Sequence, residues 1–447
     1  MIKLPSSISR LMQVFRDHRY QIYVVGGAVR DALLDLASDN WDFATSATPE
    51  QIQQLFPDSF YHNQYGTVSV PSQKLIFEIT PFRQESDYRD ARHPRQIRWA
   101  KTIEQDLSRR DFTVNAMAFD GKTLVDPWHG ADHLREKKIK TVGDPFQRFR
   151  EDGLRLMRAV RLAAQLGFFI EESTRQAIRD NAQLIEKISA ERVRDELMKI
   201  IASPHPADGV LFLHNTGLLH YILPELEACF SVPQKSPKRH HIFDVGTHAV
   251  MALKHCPSAD PVTRLATLLH DIGKVQTFRK DAKTGLITFY NHEVVGTRLV
   301  EKIAQRLKFS NQDKAKLVTL VKYHQFTVTE VATDKAIRRF IRQVGKENLN
   351  AMLDLRTGDR IGSGAKPTSW RLELFKKRLV EVQKEPFKVT DLKINGHDVM
   401  ETLRLSPGPA VGQILAKVFA RVVDGQVKNQ KPDLIKLIKQ PGFSTVH

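Results

Sequence analysis

The chain has 447 residues, room for two to four domains, and its apolar fraction of 41% is enough for packed cores. Lysine and arginine number 68 against 51 acidic residues, a formal charge of +17 with a pI near 9.7, which points to a polyanionic partner and says nothing of fold. No run approaches the roughly 18 consecutive apolar residues of a membrane helix, MIKLPSSISRLMQVF lacks the apolar block of a secretory leader, and Cys229 and Cys256 sit in no motif, which argues against a disulfide framework and fits a reducing cytoplasm.

Up to about residue 140, strand and helix signals mix. QIYVVGG is a short apolar strand ending at Gly26 and Gly27, and AVRDALLDL then opens a helix. Such a turn lets backbone N–H groups approach phosphates, with Arg30 one helical turn on and within reach of a triphosphate. An ordinary tight turn is the plain alternative. WDFATS, YGTVSVP and LIFEITPF read as strands. Asn40-Trp41-Asp42 is strand-like, so positions 40 and 42 are expected on one face. Two carboxylates at that spacing share two magnesium ions, one activating the attacking hydroxyl and one steadying the leaving pyrophosphate. Glu78 lies inside an apolar strand, where an acid is costly unless it serves a polar site. An edge residue facing water is an equal reading.

From about Asp144 the pattern turns helical. FREDGLRLMRAVRLAAQLGF and ERVRDELMKIIAS carry apolar residues three and four apart. Pro-rich, basic residues 231–241 and residues 362–369 mark boundaries. The expected layout is α+β: a head with a β-sheet (1–140), then all-helical neck (141–235), central His- and Asp-rich (236–368) and basic tail (369–447) domains.

In order along the chain, YVVGGAVRDALL, NWDFATSATPE, YGTVSV, FEITPFRQES, DLSRRDFTVNAMA and VDPWHGADHL resemble the successive motifs of the class II tRNA nucleotidyltransferase (CCA-adding) and bacterial poly(A) polymerase superfamily, over roughly the first 200 residues. The resemblance implies an antiparallel-type head that transfers CMP and AMP from CTP and ATP to the 3′-hydroxyl of tRNA, with Mg2+ at the head. Asp42 would bind magnesium and Glu78 would support it. The family has Asp-x-Asp where this chain has Asn40 and Asp42, and Asn40 is a poor magnesium ligand. Engineering, natural loss, or a rearrangement using Asp39 would each account for it. The intact motifs around it favour engineering, and poor transfer is expected of the chain as written.

Within RRDFTVNA, the resemblance implies that Arg110, Asp111 and Asn115 hold sugar and triphosphate. A salt-bridged helix start is the bland alternative. Glu151-Asp152-x-x-Arg155 matches the base-reading motif. Asp152 and Arg155, three apart, are expected as neighbours on one helix face. A carboxylate accepting from the amino group and a guanidinium donating to the ring nitrogen would select C and A over U and G. A plain ion pair is the competing account. Arg158 and Arg161 extend that face as phosphate or structural contacts, and ERVRDELMK resembles a neck-stabilising helix. The polar stretch 83–100 resembles the flexible loop that helps the family switch from C to A. With YGTVSV, it favours CCA addition over poly(A) synthesis.

In the central region His270-Asp271, within LATLLHDIGK, resembles the HD phosphohydrolase superfamily. His248, His292, His324 and Asp359 complete a six-residue set of its binuclear variety, which would hold one or two ions among Mn, Ni, Fe, Zn and Co. The implied activity is hydrolysis of phosphate esters such as 2′,3′-cyclic phosphates. Lys274 would meet a substrate phosphate or simply end a helix, and His240 and His241 are taken as surface residues. In the tail, LKINGHDVM and LSPGPAVGQIL resemble the family's RNA-binding helices. Lys376, Lys377, Arg378, Lys417, Arg421, Lys428 and Lys431 would track the tRNA backbone without reading sequence, although any single lysine is as well explained by a solvated face. A poly(A) polymerase, a phosphohydrolase that uses the head only to grip RNA, and a non-catalytic RNA binder are the alternatives.

Overall fold

The structure, a computed structural model, describes residues 2–38, 40–62, 66–72, 75–88, 94–234, 243–326, 329, 332–383 and 389–440. Asp39, His240 and His241 lie outside them. By packing the chain divides into two compact units, Met1–Phe230 with Lys302–Ser310, and Ser231–Glu301 with Asn311–His447.

The first unit begins with a seven-stranded sheet. Its strands are β1 (Ile22–Val25), β2 (Asp42–Thr45), β3 (Phe60–His62), β4 (Thr67–Ser72), β5 (Leu75–Pro81), β8 (Ala118–Phe119) and β9 (Leu124–Val125), in the order β3-β4-β5-β2-β1-β8-β9. The sheet is mixed where an antiparallel one was expected, because β2 and β5 run parallel. The period of two decides which residues are buried. Along β5, Phe77 and Ile79 are buried while Ile76 and Glu78 face out, and Phe77 meets Phe43 edge-on with ring centroids 5.6 Å apart. Each such ring or branched chain removed from water stabilises the head by roughly 1.5–3 kcal/mol.

Two local readings are corrected. Asn40 is exposed and precedes β2, which starts at Asp42. The Trp41 indole is held there by donation to the Ser38 carbonyl at 3.0 Å. The polar stretch 83–100 is not irregular along its described residues. It forms an antiparallel hairpin of β6 (Arg83–Tyr88) and β7 (Pro94–Trp99), with Arg83 opposite Trp99. Backbone pairing overrode the polar composition, and the feet of the hairpin are tied by the Phe82 N–H to Thr45 O at 2.7 Å and the Ala100 N–H to Phe82 O at 2.8 Å.

Helices follow, with a short parallel strand pair (Lys138–Ile139 beside Phe169–Ile170). The expected continuous helix through FREDGLRL is broken. One helix spans Pro145–Glu151, the next Leu154–Leu166, and Asp152 between them is extended at φ −145°. Its carboxylate accepts from the Leu154 N–H at 3.0 Å, so Asp152 starts the second helix as a cap does.

In the second unit, helices Val245–Lys254, Pro261–Leu269, Asn311–Tyr323 and Leu349–Gly362, with the start of helix His292–Arg306, surround the HD residues. Asp244 and Asp260 cap the first two through the N–H groups of Thr247 and Thr263. A small hairpin (Arg279–Lys280 with Ile287–Thr288) interrupts the helices. Further on, Gly396–Leu403, Pro409–Val423 and Lys431–Ile438 close around their own core of Val399, Ile414, Val418, Leu434 and Ile438. Among the described residues, no helix is long and apolar enough to cross a membrane.

Candidate active site and metal centre

The sheet order sets the head site. Asp42 and Glu78 are register partners on the parallel pair β2 and β5, so both carboxylates project from one face. Burial and the neighbouring Glu78 push the Asp42 carboxyl above its usual range, and Arg110 partly opposes them. Two carboxylates on one face of a sheet are suited to a divalent cation.

The glycine turn lies across from them. Gly26 has φ +73°, a conformation that favours glycine, and a Cβ there would stand 2.9 Å from Arg110 Nη1, so the guanidinium would have to shift. Arg30 donates to Asn115 Oδ1 at 2.7 Å and to Asp31 at 2.8 Å. Arg110 and Arg109 share Asp106, at 3.3 and 2.9 Å, and the Arg83 N–H donates to the same carboxylate at 3.3 Å. Asp106 is 1% exposed. Burial alone would raise its pKa, but Arg109 and Arg110 outweigh it and hold the carboxyl below the usual range. Sequence reading passed over Asp106, although its spacing of three and four from Arg109 and Arg110 on a short helix was the available signal.

The neck residues are assembled differently from expectation. Arg155 donates to Glu151 at 2.6 Å and to the carbonyls of Arg148 and Arg109 at 3.1 and 3.2 Å. Asp152 accepts from Arg192 at 3.1 Å, from helix Ala190–Ala202. The helix break between them removes the shared helix face. Asp111 accepts from Arg158 at 2.7 Å and from the Phe112 N–H at 2.9 Å. Burial works against its ionisation, yet Arg158 and Arg155 hold its pKa at about 2. Arg161 is taken up by Glu196 at 2.7 Å and Gln165 at 3.0 Å, a joint between helices Leu154–Leu166 and Ala190–Ala202.

The second unit brings all six HD residues together. Four imidazoles turn their Nε2 atoms inward. His248 and His270 are 3.3 Å apart, as are His292 and His324. Asp271 lies between the pairs. Its Oδ2 is 3.4 and 3.1 Å from His248 and His270, and its Oδ1 is 3.2 and 3.7 Å from His292 and His324. Asp359 Oδ1 stands 3.3 Å from His248 and 3.6 Å from His270. Two triads that can each hold a metal ion thus share one bridging carboxylate.

The opposite ring nitrogens fix the tautomers. Nδ1 of His270, His292 and His324 meets the carbonyls of Thr267, Phe289 and Val321 at 2.7, 2.8 and 2.7 Å, so each Nδ1–H donates and Nε2 is the nitrogen turned toward the carboxylates. Gly273 makes the cluster possible: a Cβ there would lie 2.0 Å from the His292 carbonyl. Burial would strip the His270 imidazolium of its proton, but Asp271 and Asp359 reverse this and raise its pKa to about 10. The same cations hold both carboxyls well below their usual range against burial.

Lys274 is buried rather than a free helix end. Its ammonium sits 2.6 Å from Asp271 Oδ2, donates to Gln234 at 2.7 Å, and lies 5.2 Å from the Phe289 ring centre. Gln234 and Arg356, whose guanidinium meets Asp359 at 3.2 Å, were not singled out from sequence. Nothing near Gln234 in the chain announces its role, whereas Arg356 lies one helical turn before Asp359.

Residues 22–140 match the poly A polymerase head domain family, residues 167–230 the RNA- and SrmB-binding region of polymerase A, and residues 281–438 the tRNA nucleotidyltransferase domain 2 family. The chain is 32% identical over 424 residues to the CCA-adding enzyme of Geobacillus stearothermophilus, covering 94% of this chain and 93% of that one. It is 34% identical over 422 residues to the A-adding tRNA nucleotidyltransferase of Deinococcus radiodurans, covering 90% and 92%. The crystal structure of the Bacillus stearothermophilus CCA-adding enzyme in complex with CTP superposes with a TM-score of 0.73 at 28% identity over 97% of each chain.

Proposed function

The chain belongs to the tRNA nucleotidyltransferase family of CCA-adding and A-adding enzymes, and on that premise we propose that it adds C, C and A to the 3′ end of tRNA in the cytoplasm. The observation that carries this reading is the pairing of Asp42 with Glu78 on one face of the sheet, with Arg110, which bears on the Asp42 carboxyl, set against the Gly26 turn. The tRNA 3′-hydroxyl attacks the α-phosphorus of CTP or ATP, the bond to the β-phosphate breaks, and pyrophosphate leaves. Magnesium, when bound, would neutralise charge on the triphosphate. Asp42 would hold the cation with support from Glu78. Arg30, Arg110 and Asn115 steady the triphosphate side, with the backbone of Gly26 and Gly27 approaching it. Asp111 is fixed by Arg158 toward the sugar, and Asp152 and Arg155 present an acceptor and donors to the base once they exchange Arg192 and Glu151 for it. Arg161 keeps the neck helices together.

Asn40 removes one carboxylate from this set, so transfer by the chain as written is slow. The test is extension of a tRNA lacking its 3′ CCA with labelled CTP and ATP. Asn40→Asp is expected to raise the rate by several orders of magnitude. If neither protein adds a nucleotide, the reading fails. Incorporation of A alone would assign the activity of the Deinococcus relative, and unlimited A addition a poly(A) polymerase.

The bridged triads support a second activity, HD-type hydrolysis of phosphate esters, which rests on the donor set and its fixed tautomers. His248, His270, Asp271, His292, His324 and Asp359 would hold two divalent ions such as Mn or Ni. Such ions supply water activated at neutral pH, and Lys274 would face the phosphate. Protein that neither binds metal nor hydrolyses a phosphate ester after reconstitution would remove this activity. We retain the division into head (1–140), neck (141–235), HD domain (236–368) and tRNA-binding tail (369–447), the tail's basic helices meeting the tRNA backbone.

A further inference from the structure

The metal centre opens into a cavity of about 590 Å3 lined by His270, Asp271, His292, His324 and Asp359. A second cavity of about 550 Å3 adjoins it, sharing Gln325, Arg356 and Arg360 as a common wall. The chemistry of the two differs. Arg356 and Arg360 line both, but the first also carries the carboxylates of Asp271, Asp359 and Glu293, whereas the second adds Arg371 and has no acid in its lining. Trp370 also lines it and is 62% exposed, with the Arg371 guanidinium 5.0 Å from its ring centre. Arg360 fastens this wall by donating to the carbonyls of Lys366 and Thr368 at 3.1 and 3.3 Å, just before Ser369 caps helix Trp370–Val382. Arg356 spans the shared wall, meeting Asp359 of the metal centre on one side and standing 5.7 Å from the Phe326 ring centre on the other.

An exposed indole flanked by guanidinium groups is a stacking platform for a nucleobase, and an acid-free arginine wall suits the phosphate that follows it. We propose that the second cavity is a nucleotide subsite, and that the substrate of the metal centre is the end of an RNA strand at least two nucleotides long. Its terminal phosphate lies at the bridged triads, the linking phosphate passes Arg356 and Arg360, and the neighbouring base stacks on Trp370. This rests on the phosphohydrolase reading. Water adds to the terminal phosphorus, one P–O ester bond breaks, and the departing RNA hydroxyl keeps the proton that water gives up.

The experiment uses the full chain loaded with Mn2+ and compares a phosphate-terminated cytidine mononucleotide with a phosphate-terminated tetranucleotide. The expected kcat/KM favours the tetranucleotide by roughly tenfold or more. Trp370→Ala is expected to abolish that preference and Trp370→Phe to keep most of it. In parallel, the tetranucleotide quenches tryptophan fluorescence in the parent chain and not in Trp370→Phe. Equal kcat/KM for both substrates, or quenching that survives in Trp370→Phe, overturns the subsite. Quenching at Trp370 without hydrolysis of either substrate keeps the subsite and overturns the phosphohydrolase reading instead.

Discussion

The head site and the metal centre solve the problem of holding cations in opposite ways. In the head, Glu78 is exposed, Asp42 is raised by burial and by its neighbour Glu78, and Arg30 and Arg110 are paired with Asn115, Asp31 and Asp106. In the metal centre every imidazole and the bridging carboxylate are at most 3% exposed, and carbonyl groups lock three of the four rings. A site that must admit and release a new nucleotide at each step has to leave its charges exchangeable. Ligand groups fixed in advance, as in the His–Asp cluster, would favour a cation that stays, at the cost of burying them.

The sharpest way to break this comparison is Asp271→Asn. Because one carboxylate serves both triads, bound metal measured by mass spectrometry is expected to fall from about two ions per chain to near none, with nucleotide addition by the Asn40→Asp protein unaffected. Loss of nucleotide addition as well would mean that the two sites are not separate.

The converse change is Gly26→Ala. The added Cβ must move the Arg110 guanidinium and occupy φ +73°, so kcat for CMP addition is expected to drop about tenfold to a hundredfold. Metal content should not change, and a kcat within twofold of the parent would show that the turn tolerates the displacement.

The smallest effect expected is on stability. Asp111 has its pKa depressed from 3.8 to about 2 in the folded chain, so its contribution is complete above pH 3.8 and is lost as pH falls to about 2. Arg158→Ala should cost about 2 kcal/mol at pH 7, read from urea unfolding, with the gap closing as pH approaches 2. A cost that is the same at both pH values would assign the loss to packing rather than to the ion pair.

Much of both sites could be read from residue types and spacing. The HD set was legible because histidine and aspartate recur in apolar helices, and the strand pattern around Glu78 placed it on a polar face. The errors came where one residue changes the backbone. Asp152 and Arg155 are neighbours only on an unbroken helix, and the Asp152 carboxylate turns to the Leu154 N–H instead. Asn40 falls two residues before a strand whose start the sequence does not mark. The pairing of β6 with β7 is local, but the polar composition of 83–100 carries no apolar alternation to announce it. Partners such as Gln234 for Lys274, 40 residues apart, have no local signature at all.

Asp106 has a consequence that reaches beyond its own ion pairs. A single buried carboxylate grips the root of the β6–β7 hairpin through the Arg83 N–H and, with its other oxygen, the guanidinium that crosses the glycine turn. Hairpin and turn therefore pivot on one fulcrum. A tilt of the hairpin that lengthens one arm must reload the other, so any movement of β6 is passed through Asp106 to the Arg110 guanidinium.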